Sequence, residues 1–182
     1  DLPFADLGFA TVDHHRQMRV GMPEVIFCAG KTADEVAAIA AHMAERGSAV
    51  LGTRCPPETF NAVRARLPRA RYNERGRVFR SLEPAPRVLR GRVAVVTAGT
   101  SDRSVAEEAL ETLAALGAPA EPLFDVGVAG LHRLLAHRDK LGACDLQIVV
   151  AGMEGALASV AAGVTGKPTI AVPTSVGYGA SF

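Results

Sequence analysis

Four times in its second half the chain repeats one unit: a short apolar run that ends in a loop of glycine and small polar residues. The runs are Val93–Thr97, Glu121–Phe124, Leu146–Val150 and Thr169–Val172, and the loops after them are 98–102, 125–130, 151–155 and 173–179. A helical pattern separates each run from the next. In an open parallel sheet the carboxyl ends of all strands share one edge, and ligands sit in the crevice above it. Four loops with bare backbone amides on one rim therefore predict a nucleotide-phosphate site. Strand and helix alternation with short loops predicts right-handed crossovers and an α/β fold, a parallel-sheet, three-layer, Rossmann-like sandwich.

The helices between the runs carry their own punctuation. Ser104 with Glu107 has the spacing of a capping box, and Val105, Ala109, Leu113 and Leu116 share one helical face before Gly117. His132 to Leu141 reads as the next helix with Gly142 as its stop, and Ala156 to Ala162 as a small-residue helix closed by Gly163. After the fourth strand the loop reaches Gly177–Gly179 and the chain ends at Phe182. A doubly wound sheet stopping on its fourth strand leaves a helix-binding face uncovered, so the expectation is a C-terminus that is truncated or only partly ordered. The missing initiator methionine likewise suggests that Asp1 is not the natural start.

The first half is organised differently. Glu24–Cys28 reads as a buried strand, and Thr32 with Glu35 as a capping box opening a helix whose face is Val36, Ile39, Ala40 and Met43. Gly47 ends that helix, 49–51 is a second strand, and Pro56 and Pro57 open a helix that runs through Phe60, Val63 and Leu67 to Pro68. Residues 71–73 and 77–79 finish as short strands around Gly76. The core of this module looks thin, which predicts that it packs on a second domain. The stretch Ser81–Arg87, with two prolines and no periodicity, reads as a linker. The expected division is a small α/β module over 1–82, a connection over 83–91 and a nucleotide-binding domain over 92–182.

Composition narrows the partners. A net charge of +1 in 182 residues argues against a general nucleic-acid binder, which shows a basic excess. No apolar stretch reaches membrane-span length and no signal peptide opens the chain. Three cysteines, Cys28, Cys55 and Cys144, lack metal-knuckle spacing and fit a reducing cytoplasm. Cys28 and Cys144 sit in strand-like surroundings and read as buried; Cys55, between Arg54 and Pro56, reads as nearer the surface.

The candidate chemistry lies in the loops. Gly99, Thr100, Ser101 and Asp102 stand between a strand and a helix start, an environment that suits a phosphate; Asp102 is equally explained as a cap or turn residue. There is no GxGxxG or GxxxxGK[ST] pattern. Asp125, Gly127, Gly130, His132 and Arg133 combine glycines, a carboxylate, a proton carrier and an anion clamp, although a histidine early in a helix is also a common solvated cap. Glu154, among Gly152, Met153 and Gly155 directly after a buried strand, is the most telling carboxylate, because an unneeded charge there is costly to bury; the helix dipole is the competing explanation. In the first half, Arg16 and Arg19 precede the first strand and Gly30–Thr32 follows it, so that Arg16 and Lys31 are candidates for holding an anion. Arg64, Arg66, Arg69 and Arg71 read as a solvated face.

The runs VAVVTAGTSD, DVGVAGLHR, VVAGMEGALASVAAGV and KPTIAVPTSVGYGASF, with the leader LGFATVDHHRQMRVGMPEVIFCAGKT, resemble the LarB family, whose members make pyridinium-3,5-biscarboxylic acid mononucleotide for the nickel-pincer nucleotide of lactate racemase. The resemblance covers nearly the whole chain. More distantly, the second domain resembles aminoimidazole ribonucleotide carboxylase, GTSD standing at its Ser-Asp phosphate loop and GLHR at its histidine loop. The resemblance implies a cytoplasmic enzyme that carboxylates the pyridinium ring of nicotinic acid adenine dinucleotide at carbon 5, using carbon dioxide or bicarbonate, and then hydrolyses the phosphoanhydride to release AMP. A nucleophile must first add to the electron-poor ring. In the family this is a cysteine in a loop just beyond the position of Phe182, which none of Cys28, Cys55 and Cys144 matches. The 182 residues alone are therefore expected to bind substrate and to be inactive or severely impaired in carboxylation.

The same resemblance implies that Thr100, Ser101 and Asp102 hold phosphate or ribose, that Glu154 moves a proton near the ring, and that His132 and Arg133 assist binding or hydrolysis. Gly99, Asp125, Gly127, Gly130, Gly152, Met153, Gly155, Pro173 and Thr174 would line the substrate. Mg²⁺ on the pyrophosphate is expected and no organic cofactor; the assembly carried over is a homo-oligomer, an octamer in the distant carboxylases. The competing readings are a purine-pathway aminoimidazole ribonucleotide carboxylase or mutase, which has no need of the first ~80 residues as a separate module, and a non-catalytic nucleotide-binding module.

Overall fold

A computed structural model describes residues 2–83 and 87–175. The chain divides into two compact units, residues 1–87 and 88–182. The prolines of the linker, Pro84 and Pro86, and the terminal Gly177–Gly179 loop lie outside the described residues.

In the first unit, β1 (Phe4–Asp6) and β2 (Thr11–Asp13) form an antiparallel hairpin ahead of a short helix, α1 (Arg16–Val20). Neither is foreshadowed in the sequence by any clear periodicity. Then follow β3 (Val25–Phe27), α2 (Ala33–Glu45), β4 (Leu51–Thr53), α3 (Pro57–Arg66), β5 (Arg71–Asn73) and β6 (Val78–Arg80). The sheet order is β3-β4-β6-β5, with β3 and β4 parallel and the other pairs antiparallel. The Thr32–Glu35 capping box is present in both directions, Glu35 N–H to Thr32 Oγ1 at 3.3 Å and Thr32 N–H to Glu35 Oε2 at 2.8 Å. Val36, Ala40 and Met43 of α2 join Val63 of α3 and Phe79 of β6 in a core of the unit's own, more continuous than its sequence suggests. Arg64, Arg66, Arg69 and Arg71 are all exposed.

Cys55 departs from expectation: it is fully buried. Arg54, at φ 54°, turns the chain inward after β4. Cys55 N–H then donates to Arg77 O at 2.7 Å, and the Tyr72 hydroxyl donates to Cys55 O at 2.8 Å. Backbone pairing has drawn in a position that its polar neighbours marked as surface.

The second unit contains β7 (Val93–Thr97), α4 (Arg103–Leu116), β8 (Ala120–Leu123), α5 (Leu131–Leu135), α6 (Arg138–Gly142), β9 (Leu146–Ala151), α7 (Ala156–Thr165) and β10 (Thr169–Pro173). All four strands are parallel, in the order β10-β9-β7-β8. Successive strand residues face opposite ways. Ala94 and Val96 accordingly pack with Leu134, Leu141 and Leu157 of α5, α6 and α7. Val95 packs with Ala106, Ala109 and Leu113 of α4. Helices thus cover both faces, which gives the three-layer, Rossmann-type sandwich expected.

Four local readings of this unit are corrected. Ser104 and Glu107 form no capping box: α4 already begins at Arg103, and Glu107 Oε1 instead meets Arg103 Nε one turn back at 3.1 Å. The helix expected over 132–141 is broken in two, because His137 leaves helical geometry (φ −110°, ψ 13°) and its N–H closes on Leu134 O. Gly142 is the last residue of α6 rather than a stop beyond it. Gly163 lies within α7, where Thr165 Oγ1 donates to Ala161 O at 2.8 Å and sustains the last turn; the left-handed cap is Gly166, at φ 66°.

Candidate active site

The order β8-β7-β9-β10 reverses direction about β7. A crevice therefore opens at the carboxyl ends of β7 and β9, where one crossover helix leaves towards each face. The hydrogen-bond ladder runs one step past the strands and fixes the loop bases. Ala98 N–H donates to Val150 O, Val126 N–H to Thr97 O and Thr174 N–H to Ala151 O, each at 3.0 Å. Asp125 N–H donates to the Thr97 hydroxyl, also at 3.0 Å.

Above these loop bases lies a cavity of about 270 Å³. Among the described residues, its polar lining comes from three of the four loops: Gly99, Ser101 and Asp102 after β7, Asp125 and Gly127 after β8, and Gly152 after β9, with Arg133 from α5. Its apolar wall, Ala98, Ala151, Ala156 and Leu157 among others, includes residues that sequence reasoning passed over. Ala98, Ala151 and Ala156 each stand next to a loop glycine, their only sequence signal. The fourth loop enters through Asp102. Thr174 Oγ1 donates to Asp102 Oδ1 at 2.7 Å, and Gly99 N–H donates to Asp102 Oδ2 at 3.0 Å. Asp102 is only 5% exposed, so its carboxylate braces the phosphate-type loop against the end of β10.

Arg133 is the only lysine or arginine lining the cavity among the described residues. Its Nη1 pairs with Asp125 Oδ1 at 3.0 Å. Its guanidinium also lies against Gly130, where an added Cβ would come within 2.8 Å of Nε. Gly127 is equally constrained, since a Cβ there would sit 2.8 Å from the Ala98 carbonyl oxygen. That neighbour is backbone and cannot rotate away. Gly127→Ala is expected to destabilise the unit by about 1–3 kcal/mol and to weaken nucleotide binding; unchanged affinity and urea midpoint would show that the two loops separate freely.

The β9 loop has unusual geometry. Met153, Glu154 and Gly155 take φ of 49°, 57° and 71°, three successive left-handed residues. For the two non-glycine residues this costs roughly 1–2 kcal/mol each, a pattern that clusters at functional sites. Met153 lines the cavity, whereas Glu154 does not and is exposed. The burial cost that singled Glu154 out in the sequence is therefore absent, and its interest rests on the strained turn that carries it. Thr100 and His132 are also exposed and, like Gly130, Gly155 and Pro173, stand outside the lining.

Arg16 and Lys31 belong to the first unit. Arg16 Nε is buried without a hydrogen-bond partner, and Lys31 Nζ donates to Phe27 O at 2.9 Å. None of the three cysteines lines the cavity. Cys144 precedes β9, at the other edge of its sheet, and burial pushes its thiol up; contact with Cys55 and burial push Cys28 up as well. Among the described residues no three His, Cys, Asp or Glu side chains converge to hold a metal. No helix among them is long and apolar enough to cross a membrane.

A switch-point cavity with glycine loops and one clamped cation, on a doubly wound parallel sheet, is a candidate ligand site. Known proteins sharpen this class. Residues 4–83 match the LarB/PurE-like N-terminal domain, and residues 92–180 match the AIR carboxylase domain. The chain is also 36% identical over 178 residues to the uncharacterized protein MJ0165 of Methanocaldococcus jannaschii, an alignment covering 92% of this chain and 69% of that one. The chain belongs to the LarB family, with an AIR carboxylase-like C-terminal domain, and its domains are those of a carboxylase-type enzyme.

Proposed function

We propose that this protein carboxylates carbon 5 of the pyridinium ring of nicotinic acid adenine dinucleotide and then cleaves the phosphoanhydride, yielding AMP and the dicarboxylated mononucleotide. The observation that carries this reading is the switch-point cavity, where Arg133 faces glycine backbones from three loops. Its volume, about 270 Å³, lies near the lower end for ligand pockets (about 300–1,000 Å³) and suits one nucleotide half. The first-unit match to a LarB/PurE-like domain favours this substrate over an aminoimidazole ribonucleotide, which needs no such module.

In this reading a thiolate adds to the ring and converts the pyridinium to a neutral enamine. Carbon 5 then attacks carbon dioxide, a base removes the carbon 5 proton, and departure of the thiolate restores the aromatic ring. Cys28, Cys55 and Cys144 are buried and are not among the residues lining the cavity, and in this reading they do not supply that thiolate. Glu154 is the proton acceptor, reaching the ring through rearrangement of its left-handed turn. Arg133 holds the phosphate, Asp102 positions Gly99, and His132 assists hydrolysis from the rim. Mg²⁺ would arrive on the substrate pyrophosphate and offset the charge of the leaving AMP. A reducing, cytoplasmic setting and a homo-oligomeric, octameric assembly complete the reading.

The test is incubation of the natural full-length protein with nicotinic acid adenine dinucleotide, bicarbonate and Mg²⁺, followed by mass spectrometry. The expected products are AMP and a mononucleotide carrying one additional carboxylate. Turnover of an aminoimidazole ribonucleotide, or saturable binding with no product, would replace this reading with a purine carboxylase or a binding module. Glu154→Gln is expected to keep substrate affinity and to lose about 10²–10⁴-fold in turnover; full turnover removes Glu154 from the chemistry.

A further inference from the structure

Among the described residues two carboxylates line the cavity at the ends of β7 and β9, and they are not equivalent. Both oxygens of Asp102 are engaged, Oδ1 by Thr174 Oγ1 and Oδ2 by Gly99 N–H. Asp125 is half-exposed, and Arg133 Nη1 lies 3.0 Å from its Oδ1. No described residue donates a hydrogen bond to its Oδ2. The backbone holds this carboxylate in place. Asp125 N–H donates to the hydroxyl of fully buried Thr97, and Val126 N–H donates to Thr97 O, both at 3.0 Å. The φ of 61° at Asp125 is left-handed, a conformation that Asp adopts more readily than most side chains.

We propose, resting on the nucleotide reading of this cavity, that Asp125 is its sugar-recognition residue. Its carboxylate accepts the vicinal hydroxyls of a ribose whose 5′-phosphate lies on Arg133, so the cavity selects a ribonucleotide over its 2′-deoxy counterpart. A carboxylate beside a phosphate site repels the ligand unless the same ligand also brings it hydrogen-bond donors. A ribose brings two, side by side, to an acceptor with an oxygen to spare. Arg133 reconciles the two charges: a guanidinium carries several N–H donors, so one edge pairs with Asp125 while others remain for phosphate oxygens. The place in the sheet agrees. Asp125 follows β8, which pairs with β7, one strand-helix-strand step past Gly99. In doubly wound dinucleotide sites an acidic residue about 20 residues past the glycine loop takes the ribose 2′-hydroxyl.

Titration of the natural full-length protein with ribose 5-phosphate and with 2-deoxyribose 5-phosphate tests this without any variant. Ribose 5-phosphate should bind at least about 10-fold more tightly, the scale of a hydrogen bond to a charged group. Asp125→Gly keeps the left-handed backbone and removes the carboxylate; it should bring the two affinities within about 2-fold of each other. Asp125→Asn, which retains one acceptor, should keep part of the preference, and Arg133→Gln should weaken both sugar phosphates alike. Equal binding of the two by the parent protein overturns the proposal, as does a preference that survives Asp125→Gly, or no saturable binding of ribose 5-phosphate. The substrate reading fails separately. A ribose preference without turnover of nicotinic acid adenine dinucleotide leaves the role of Asp125 standing, and turnover without the preference removes that role alone.

Discussion

Asp102→Ala is expected to lower the stability of the second unit by about 2–4 kcal/mol and to abolish tight nucleotide binding. The carboxylate is 5% exposed and accepts from Gly99 N–H and from Thr174 Oγ1. Those partners stand on the loop after β7 and at the end of β10, so one side chain ties together segments 72 residues apart. Removing it strands a backbone donor and a hydroxyl where water has little access, and each unsatisfied group costs about 1–3 kcal/mol. Asp102→Asn should cost less, about 1–2 kcal/mol, since an amide oxygen still accepts from Thr174 while its NH₂ faces the Gly99 donor. Urea unfolding of Asp102→Ala, Thr174→Val and the double variant measures the link, with an expected coupling of about 0.5–3 kcal/mol. Strict additivity would mean that Asp102 and Thr174 act independently and that the brace is not real.

Gly52→Ala is expected to be the most damaging single methyl in the first unit. Gly52 of β4 stands opposite Phe79 of β6 in the antiparallel register. A Cβ at position 52 would lie 2.2 Å from Phe79 Cε1 and 2.4 Å from Cζ. The ring is fully buried and flanked by Phe60, 6.1 Å between centroids, which itself stacks on Tyr72 at 4.5 Å. It cannot move without opening the core, so the loss should reach about 3 kcal/mol, the upper end for overpacking. Gly52 is not held here by backbone freedom: space is what it provides. Phe79→Leu in the Gly52→Ala background should therefore recover part of the loss by removing the clashing ring atoms. If the double variant is no more stable than Gly52→Ala, the clash is not the cause.

The loops that form the site were legible because a parallel sheet leaves them no choice of edge. Gly99, Ser101, Asp102, Asp125, Gly127, Gly152, Met153 and Arg133 come together around one cavity as their position after successive strands implied. Their detailed roles were not legible. Glu154 looked buried because its neighbours are apolar and small, yet the left-handed turn through Met153 and Glu154 keeps it exposed. Asp102 was ambiguous between cap and ligand, and the decisive contact comes from Thr174, on a strand end far away in sequence. Cys55 misled for the same reason: its burial is set by the carbonyl of Arg77, not by Arg54 and Pro56 beside it.

The layers of the second unit, its parallel strands, the edge on which its loops emerge and the Thr32–Glu35 helix start could all be read along the chain. Periodicity, capping and short crossovers are local properties, and chain connectivity converts them into topology. The strand order that opens the crevice between β7 and β9, the Asp102–Thr174 brace, the burial of Cys55 and the meeting of His14 with His42 emerge from packing alone. Each of these depends on segments that approach one another only after the sheets and helices have packed, and no window along the chain contains both partners.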